Sequence, residues 1–509
     1  MPRSTISTGH TRFGQEPNAQ KLQNNPLRIA ILGDFTGRQS RNQCEPQTLA
    51  SRNPIRITKD NFERVFENAA IRLKLPSCEE YLCFSEFDDL HPDYLYERLP
   101  LFTQFKKLKK QLLNPELLPT AAAEIQQWAS FKASAPILEN SAENSGDTNY
   151  GSMLDAMLSE TNGLHHYQAS PDGQIDQLIK DIVSPYISPK ADPRQTELLE
   201  AVEAASAEAL RKLLHHSNFQ QLEASWRSLH FLIKRLDGHS GLILDIIDIS
   251  KEELLADLTQ ADSDLEQAGI FKTLVANQAQ AGQTPYHAFV GDFFIEPNEA
   301  DLGLVIDMST IAQSTGAIFI SAADTALAGC PSLVEADNPE NWSLTPHQLN
   351  PADWQDAWQA VRDFEASEHC LLSAPRFLLR APYGLQSATI DSFDFEELPK
   401  EHTHEFYLWG NSAYLQAYRL AQGYIDHGWS IDINQAIEVD QLPLHIFKQD
   451  GESCVTPCAE INMTDTTAKA LSDTGISVVR SIRHQDKVIV TAGESLAFSR
   501  KLQSLWNNG

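Results

Sequence analysis

No run of apolar residues in this 509-residue sequence approaches the roughly 20 that a bilayer-crossing helix needs; the longest, such as "AIFISAA" at 317–323, fall far short. The first 20 residues, "MPRSTISTGHTRFGQEPNAQ", contain no apolar h-region, so no secretory signal is read there. Cysteine is sparse: seven residues, an odd number scattered along the chain, argue against a disulfide framework and fit a reducing cytosol. Positive charge is short as well. There are 40 Lys+Arg against 69 Asp+Glu, a formal net charge of −29. The deficit is uneven. Residues 1–120 hold 17 basic and 14 acidic residues, or +3, leaving 23 and 55, or −32, for the rest. Such an acidic body repels phosphate, which argues against nucleic acid as its partner. Its acidic surface either keeps the protein solvated or serves a function of its own.

Catalytic signatures are missing too. "ILGDFTGR" follows a strand and holds two glycines, but it lacks the G-x-x-x-x-G-K-[ST] spacing and any Lys to reach a phosphate. "CVTPC" spaces Cys454 and Cys458 too widely for a redox pair, and no second Cys/His pair stands at zinc-finger spacing. Neither a G-x-S-x-G elbow nor an H-E-x-x-H helix occurs. The expectation is a protein with no catalytic residues, cofactor or metal. What remains is an ordinary globular composition, 42% apolar and 21% charged, with length for several domains.

Periodicity supplies the organisation. Residues 1–25 are polar and aperiodic, a disordered tail. A module over 26–118 then alternates strands ("PLRIAILG", the start of "PIRITKDNFERVF", and "EYLCF") with helices, Thr58 or Asp60 capping the first and Pro100 breaking the second. Residues 119–195 read as a linker, with turn-rich "LENSAENSGDTNYGS" and "SPKADPRQ" around one short helix whose Met153, Leu154, Met157 and Leu158 share a face. A body over 196–509 opens on a long helix. There "GLILDIIDI" and "HAFVGDFFI" are buried strands, Ser250 caps "KEELLADL", and "DLGLVIDMSTIAQSTGAIFISAA" is a helix running into a strand. The fold class is α/β, of mixed α+β character, built on a mixed sheet.

"LLHHSNFQQLEASWRSLHFLI", residues 213–233, sets three histidines and Glu223 close together, as a metal site would. Helical spacing separates them. "HHSN" ends one helix, where exposed carbonyls favour His and Asn, and Ser217 or Asn218 caps the next, which buries Phe219, Leu222, Trp226, Leu229 and Ile233. The histidines read as architecture.

This same string resembles the large subunit of the type VI secretion contractile sheath (VipB, or TssC). The likeness continues in order through "LDIIDISKEELLADL", "PYHAFVGDFFI", "APRFLLRAPYG" and "YLWGNSAYLQAYRLAQGYIDHGW". Upstream, "PLRIAILGDFTGR", "PIRITKDNFERVF" and "FDDLHPDYLYERLPLFTQFKKLKKQLL" resemble the small subunit (VipA, or TssB), so the chain looks like a small-plus-large fusion over roughly residues 26–500. The resemblance implies a cytoplasmic structural protein of the secretion apparatus. Its implied partners are other sheath subunits, the inner tube protein Hcp, baseplate proteins and a ClpV-type unfoldase, with neither nucleic acid nor membrane insertion. It also implies that the helix of Met153, Leu154, Met157 and Leu158 is the segment such an unfoldase grips. Arg376 and Arg380, at i, i+4 in "APRFLLRAPYG", are either partners of acidic side chains within the chain or contacts to a neighbouring subunit. The family's large subunit continues past "SIRHQDKVIVTAGESLA", and its small subunit begins with a strand-forming segment; neighbours interlink through these ends. Their departure here leaves a second reading open, a sheath-like cap, adaptor or assembly factor that binds sheath or baseplate without polymerising.

Overall fold

The computed structural model describes residues 25–75, 81–133 and 195–504, apart from 115, 237, 240, 263, 337, 344–350, 400–403, 434 and 450. The expected tail and the Met153–Leu158 helix lie outside the described residues.

A nine-stranded sheet organises the larger of two compact units, which comprises residues 1–71, 220–382 and 402–509. Its strands are β1 (Leu27–Gly33), β2 (Ile55–Ile57), β5 (Leu242–Asp248), β6 (Ala288–Ile295), β7 (Ile318–Ala323), β8 (Cys370–Ala374), β11 (Ile437–Val439), β14 (Ile476–Ser481) and β15 (Val488–Val490), in the order β11-β15-β14-β8-β7-β6-β1-β5-β2. Among the described residues, three two-stranded sheets hold the remaining strands: β3 (Ile71–Leu73) with β4 (Leu82–Phe84), β9 (Phe377–Leu378) with β10 (Trp409–Gly410), and β12 (His445–Gln449) with β13 (Glu452–Thr456). The middle six, from β14 to β5, run parallel; β2 at one edge and β15 next to the other run against them, and the edge strand β11 pairs antiparallel with β15. Parallel strands are covered on both faces, which is why "LRIAILG", "AFVGDFFI" and "IFISAA" read as nearly continuous apolar runs. All seven residues of β1 are buried. That strand lies between β5 and β6, more than 200 residues further along the chain, so the first segment supplies a central strand of the body's sheet.

Local chemistry sets the helices as the sequence suggests, with one shift. Thr58 and Asn61 form a capping box ahead of α1 (Phe62–Asn68), whose Phe62, Val65 and Phe66 are buried. Pro100 divides α2 (Pro92–Arg98) from α3 (Thr103–Leu113), because a proline has no amide to continue the helical ladder. A helix α4 (Leu118–Ala133) occupies the first part of the stretch expected to be linker. Its proline stands in the first turn, where a missing amide costs nothing, and three consecutive alanines favour the helix beyond it. Then come α5 (Gln195–Leu214) and α6 (Ser217–Arg235), with α7 (Lys251–Ala261) capped by Ser250, whose side chain accepts from the Glu253 amide. Further on, α8 (Glu299–Thr315), α9 (Pro351–Asp363), α10 (Ala413–His427) and α11 (Asp465–Asp473) complete the larger unit's helices of nine residues or more.

The described residues of the second unit, which fall within 72–219 and 383–401, are mainly helical. Within it α3 buries Phe105, Leu108 and Leu112. Lys109 reaches Glu203 of α5 at 2.9 Å and the Ser392 carbonyl at 3.1 Å, and the Gln195 side chain donates to the Leu112 carbonyl. Asp93 receives the Asp391 and Ser392 amides and the Ser392 hydroxyl. The ranges expected for two successive modules, 26–118 and 196–509, are therefore not the ranges of the compact units. Each unit draws on both parts of the chain.

A cut introduced within residues 139–150 should accordingly leave the two fragments associated through gel filtration at micromolar concentration. Salt should weaken them little, since the ion pairs across the join, such as Arg28 with Asp245 and Arg38 with Glu253, are buried and screened little. The fragment from 196 onward, expressed alone, should lack a cooperative thermal transition, because its sheet has a gap between β5 and β6.

Candidate functional site

Where the segment of residues 25–71 meets the rest of the larger unit, charge is buried among apolar strands. Arg28, inside β1 and 2% exposed, donates to Asp245 of β5 at 2.8 Å and to Gln278 at 3.1 Å, and its guanidinium lies 4.1 Å from the Tyr286 ring centre. Tyr286 donates its hydroxyl to the same carboxylate at 2.9 Å, and Arg56 of β2 donates to its other oxygen at 3.0 Å. Beyond the strand ends, Glu253 of α7 is fully buried and takes a two-pronged bond from Arg38, at 2.9 and 2.8 Å, and another from Arg52, at 2.8 and 2.6 Å. Burial alone would raise the Glu253 pKa, but the two arginines and the Glu45 amide hold it down to about 2. Such fork-on-carboxylate bonds fix orientation as well as adding attraction.

Packing follows the same join. Trp226 of α6, fully buried, receives the rings of Phe35, Phe62 and Phe66 at centroid distances of 5.5, 5.8 and 4.6 Å and donates its indole N–H to the Phe35 carbonyl. Thr273 and Asn277 donate to the carbonyls of Leu49 and Ala50. Gly269 is needed there, since a Cβ would stand 2.7 Å from that of Leu49.

The histidines of the 213–233 stretch take three separate roles. His215 lies 3.6 Å from the buried Glu397, and His230 packs on the Phe62 ring, with burial lowering its pKa. His216 corrects the expected cap: its Nδ1, not Ser217 or Asn218, accepts the Asn218 amide, because the helix begins one residue earlier. Phe219, Leu222, Trp226, Leu229 and Ile233 are buried as expected. Among the described residues there is no group of three or more His, Cys, Asp or Glu side chains placed to hold a metal ion.

Both arginines of "APRFLLRAPYG" have acidic partners within the larger unit. Arg380 donates to the fully buried Glu223, at 2.8 and 3.3 Å, and Arg227 holds the same carboxylate at 2.6 Å. Arg376 donates to Glu460 at 2.8 Å and Glu405 at 3.1 Å, beside His404. Burial would lower the His404 pKa, but Glu405 and Glu460 raise it to about 9. The Glu405 carboxyl is correspondingly held at about 2, chiefly by its bond to His404.

The charge join itself, Arg28, Arg38, Arg52, Asp245 and Glu253, goes unmentioned in the sequence reading. One signal was present: Arg28 interrupts "LRIAIL" and Asp245 interrupts "LILDIID", a charge of each sign inside two apolar strands. Arg28 pairs with Ile243 and Ala30 with Asp245, so the two charges sit two positions apart along adjacent strands, on one face.

The sheet thus takes strands from distant parts of the chain and is locked by buried ion pairs and an aromatic cluster. The family model VipB, described as "EvpB/VC_A0108, tail sheath N-terminal domain", matches residues 196–497, and the chain belongs to that family. A second model, described as "Type VI secretion system, VipA, VC_A0107 or Hcp2", matches residues 14–124 of the same chain. Among curated proteins the chain is similar to the "Type VI secretion system sheath protein TssC1" of Pseudomonas aeruginosa, 31% identical over 305 residues. That similarity covers 59% of this chain and 60% of the relative's length. No helix among the described residues is long and apolar enough to cross a membrane.

Glu223→Gln should lower stability by about 3 kcal/mol, read as a shift of the urea midpoint, because two guanidinium groups then lose their shared carboxylate in a buried setting. Glu405→Gln, at a largely exposed position, should cost far less.

Proposed function

We propose that this chain is a cytoplasmic structural component of a type VI secretion sheath, in which a small-subunit-type segment and a large-subunit-type segment act as one fused protomer. The observation that carries this reading is β1. A strand from the segment matched by the VipA model lies at the centre of the sheet built by the segment matched by the VipB model, so both belong to one folding unit. Covalent fusion raises the effective concentration of one part for the other without a new contact. The partners that follow are further sheath subunits, the Hcp inner tube, the baseplate and a ClpV-type unfoldase. Of the two arginines, Arg376 is the one with substantial exposed surface and suits a contact to a neighbouring subunit; Arg380 is nearly enclosed around Glu223. The apolar face of Met153, Leu154, Met157 and Leu158 is the proposed grip for the unfoldase, since an amphipathic helix binds a partner groove through such a face.

Negative-stain microscopy of the purified protein, alone and with the tube protein of its own system, tests the reading. Sheath-like tubes are expected. Failure to associate with any sheath, tube or baseplate protein would overturn it, and association without tubes would replace it with a cap or adaptor. Leu154→Asp should abolish binding to the unfoldase's N-terminal domain, since a charge in an apolar groove costs roughly 2 kcal/mol or more. Unchanged binding in titration calorimetry would remove the helix from the proposal.

A further inference from the structure

Three adjacent strands of the large sheet bring a carboxylate to the same level: Asp248 is the last residue of β5, Asp34 follows β1, and Asp292 lies within β6. Asp34 follows the last residue of β1, Gly33, which is in register with Asp248 at the end of β5. On the other side, Leu32 is in register with Gly291 of β6, and Asp292 comes next. The β6–β7 register slips between Gly291 and Phe294, so Asp292 and Phe293 form a bulge. The bulge is held in place: the Ser321 hydroxyl faces the carbonyls of Gly291 and Phe293 at 3.2 and 3.0 Å, and Asn411 donates to the Phe293 carbonyl at 2.9 Å. Bulges re-aim side chains, and this one lays Asp292 beside Gly33, where a Cβ would stand 3.0 Å from the Asp292 Cβ. Asp292 Oδ2 and the Tyr414 hydroxyl are both sealed from water, and the Ser225 and Tyr414 hydroxyls are the donors beside the carboxyl.

We propose that Asp34, Asp248 and Asp292 form a proton-loading layer, which takes protons from solvent as the pH falls below neutral and thereby tightens the hold of β1 on β5 and β6. The inference does not depend on the sheath assignment.

The surrounding groups explain why the layer would load. Asp292 faces Ser225 of α6, Tyr414 of α10 and Asp34, and none of these is a cation. Asp248 accepts the Phe35 and Thr36 amides and the Thr36 hydroxyl, with Arg38 at 3.8 Å and Arg52 nearby, but both arginines are already bonded to Glu253. Asp34 accepts the amides of Arg38 and Gln39, with Arg41 the cation acting on it. Burial first, and the Asp34 charge after it, push Asp248 and Asp292 up to about 6; burial raises Asp34 as well. The unfolded chain binds these protons only near pH 4. Between about 4 and 6 the folded state thus holds more protons than the unfolded one, so the layer's contribution rises as pH falls through 6 and is lost as pH rises through it. Neutralisation removes repulsion among carboxylates on three neighbouring strands, and β1 stands in the middle.

The test uses the full chain, comparing wild type, Asp292→Asn, and Asp307→Asn as a control. Asp307 of α8 is likewise raised to about 6 by burial but is not part of the layer. Hydrogen exchange of residues 27–33 is followed at about pH 7.5 and about pH 5.5, corrected for intrinsic rates. In wild type and Asp307→Asn, exchange should slow several-fold on acidification; in Asp292→Asn it should be slow at both. Identical pH dependence in wild type and Asp292→Asn would overturn the proposal. Infrared spectroscopy of Asp307→Asn, which lacks that residue's own carboxyl band, reads the layer even if Asp292→Asn does not fold. A protonated-carboxyl band must grow between the same two pH values, and its absence sinks the idea.

Discussion

The insertion of β1 between β5 and β6 is the constraint on which the larger unit depends. A parallel sheet has no tolerance for a missing interior strand, because the amides and carbonyls on both sides would lose their partners in a dry environment. Once β1 is in place, the residues that follow it reach the ends of neighbouring strands, and Arg38 and Arg52 close on Glu253. The Trp226 cluster then secures α1 through Phe62 and Phe66. Each of these contacts needs the strand first.

Buried charge has a particular use in such a join. Apolar faces would bind β1 strongly but would allow it to slip, since a sheet register is weakly marked when every residue is aliphatic. Arg28 against Asp245, and Arg38 with Arg52 against Glu253, each fit one alignment only. The desolvation cost of these groups is offset by bidentate geometry and further donors, including Tyr286 and the Glu45 amide. The family to which the chain belongs is one of sheath proteins.

Much of this was legible beforehand. The strands of the parallel core stand out as short apolar runs between turn residues, and Ser250, Thr58 and Pro100 mark helix boundaries through their own local chemistry. Misreadings arose where a choice depended on distant partners. The first part of the apparent linker folds as α4, with Ala121 and Ile125 buried, a fact that an alanine-rich stretch beside turn-rich sequence conceals. The cap of α6 passed to His216, an imidazole acceptor that ordinary cap preferences do not rank highly.

Sequence by itself determined the α/β class, the strand and helix identities of the core, and the family, because periodicity, capping and long distinctive strings are local properties of the chain. The tertiary structure decided which strands are neighbours, that β1 belongs to the sheet of the later segment, and that each compact unit mixes early and late residues. It also decided which carboxylate each arginine meets. Strand order and ion pairing are set by packing between residues some 200 positions apart, and an alternating or apolar pattern carries no record of which distant partner completes it.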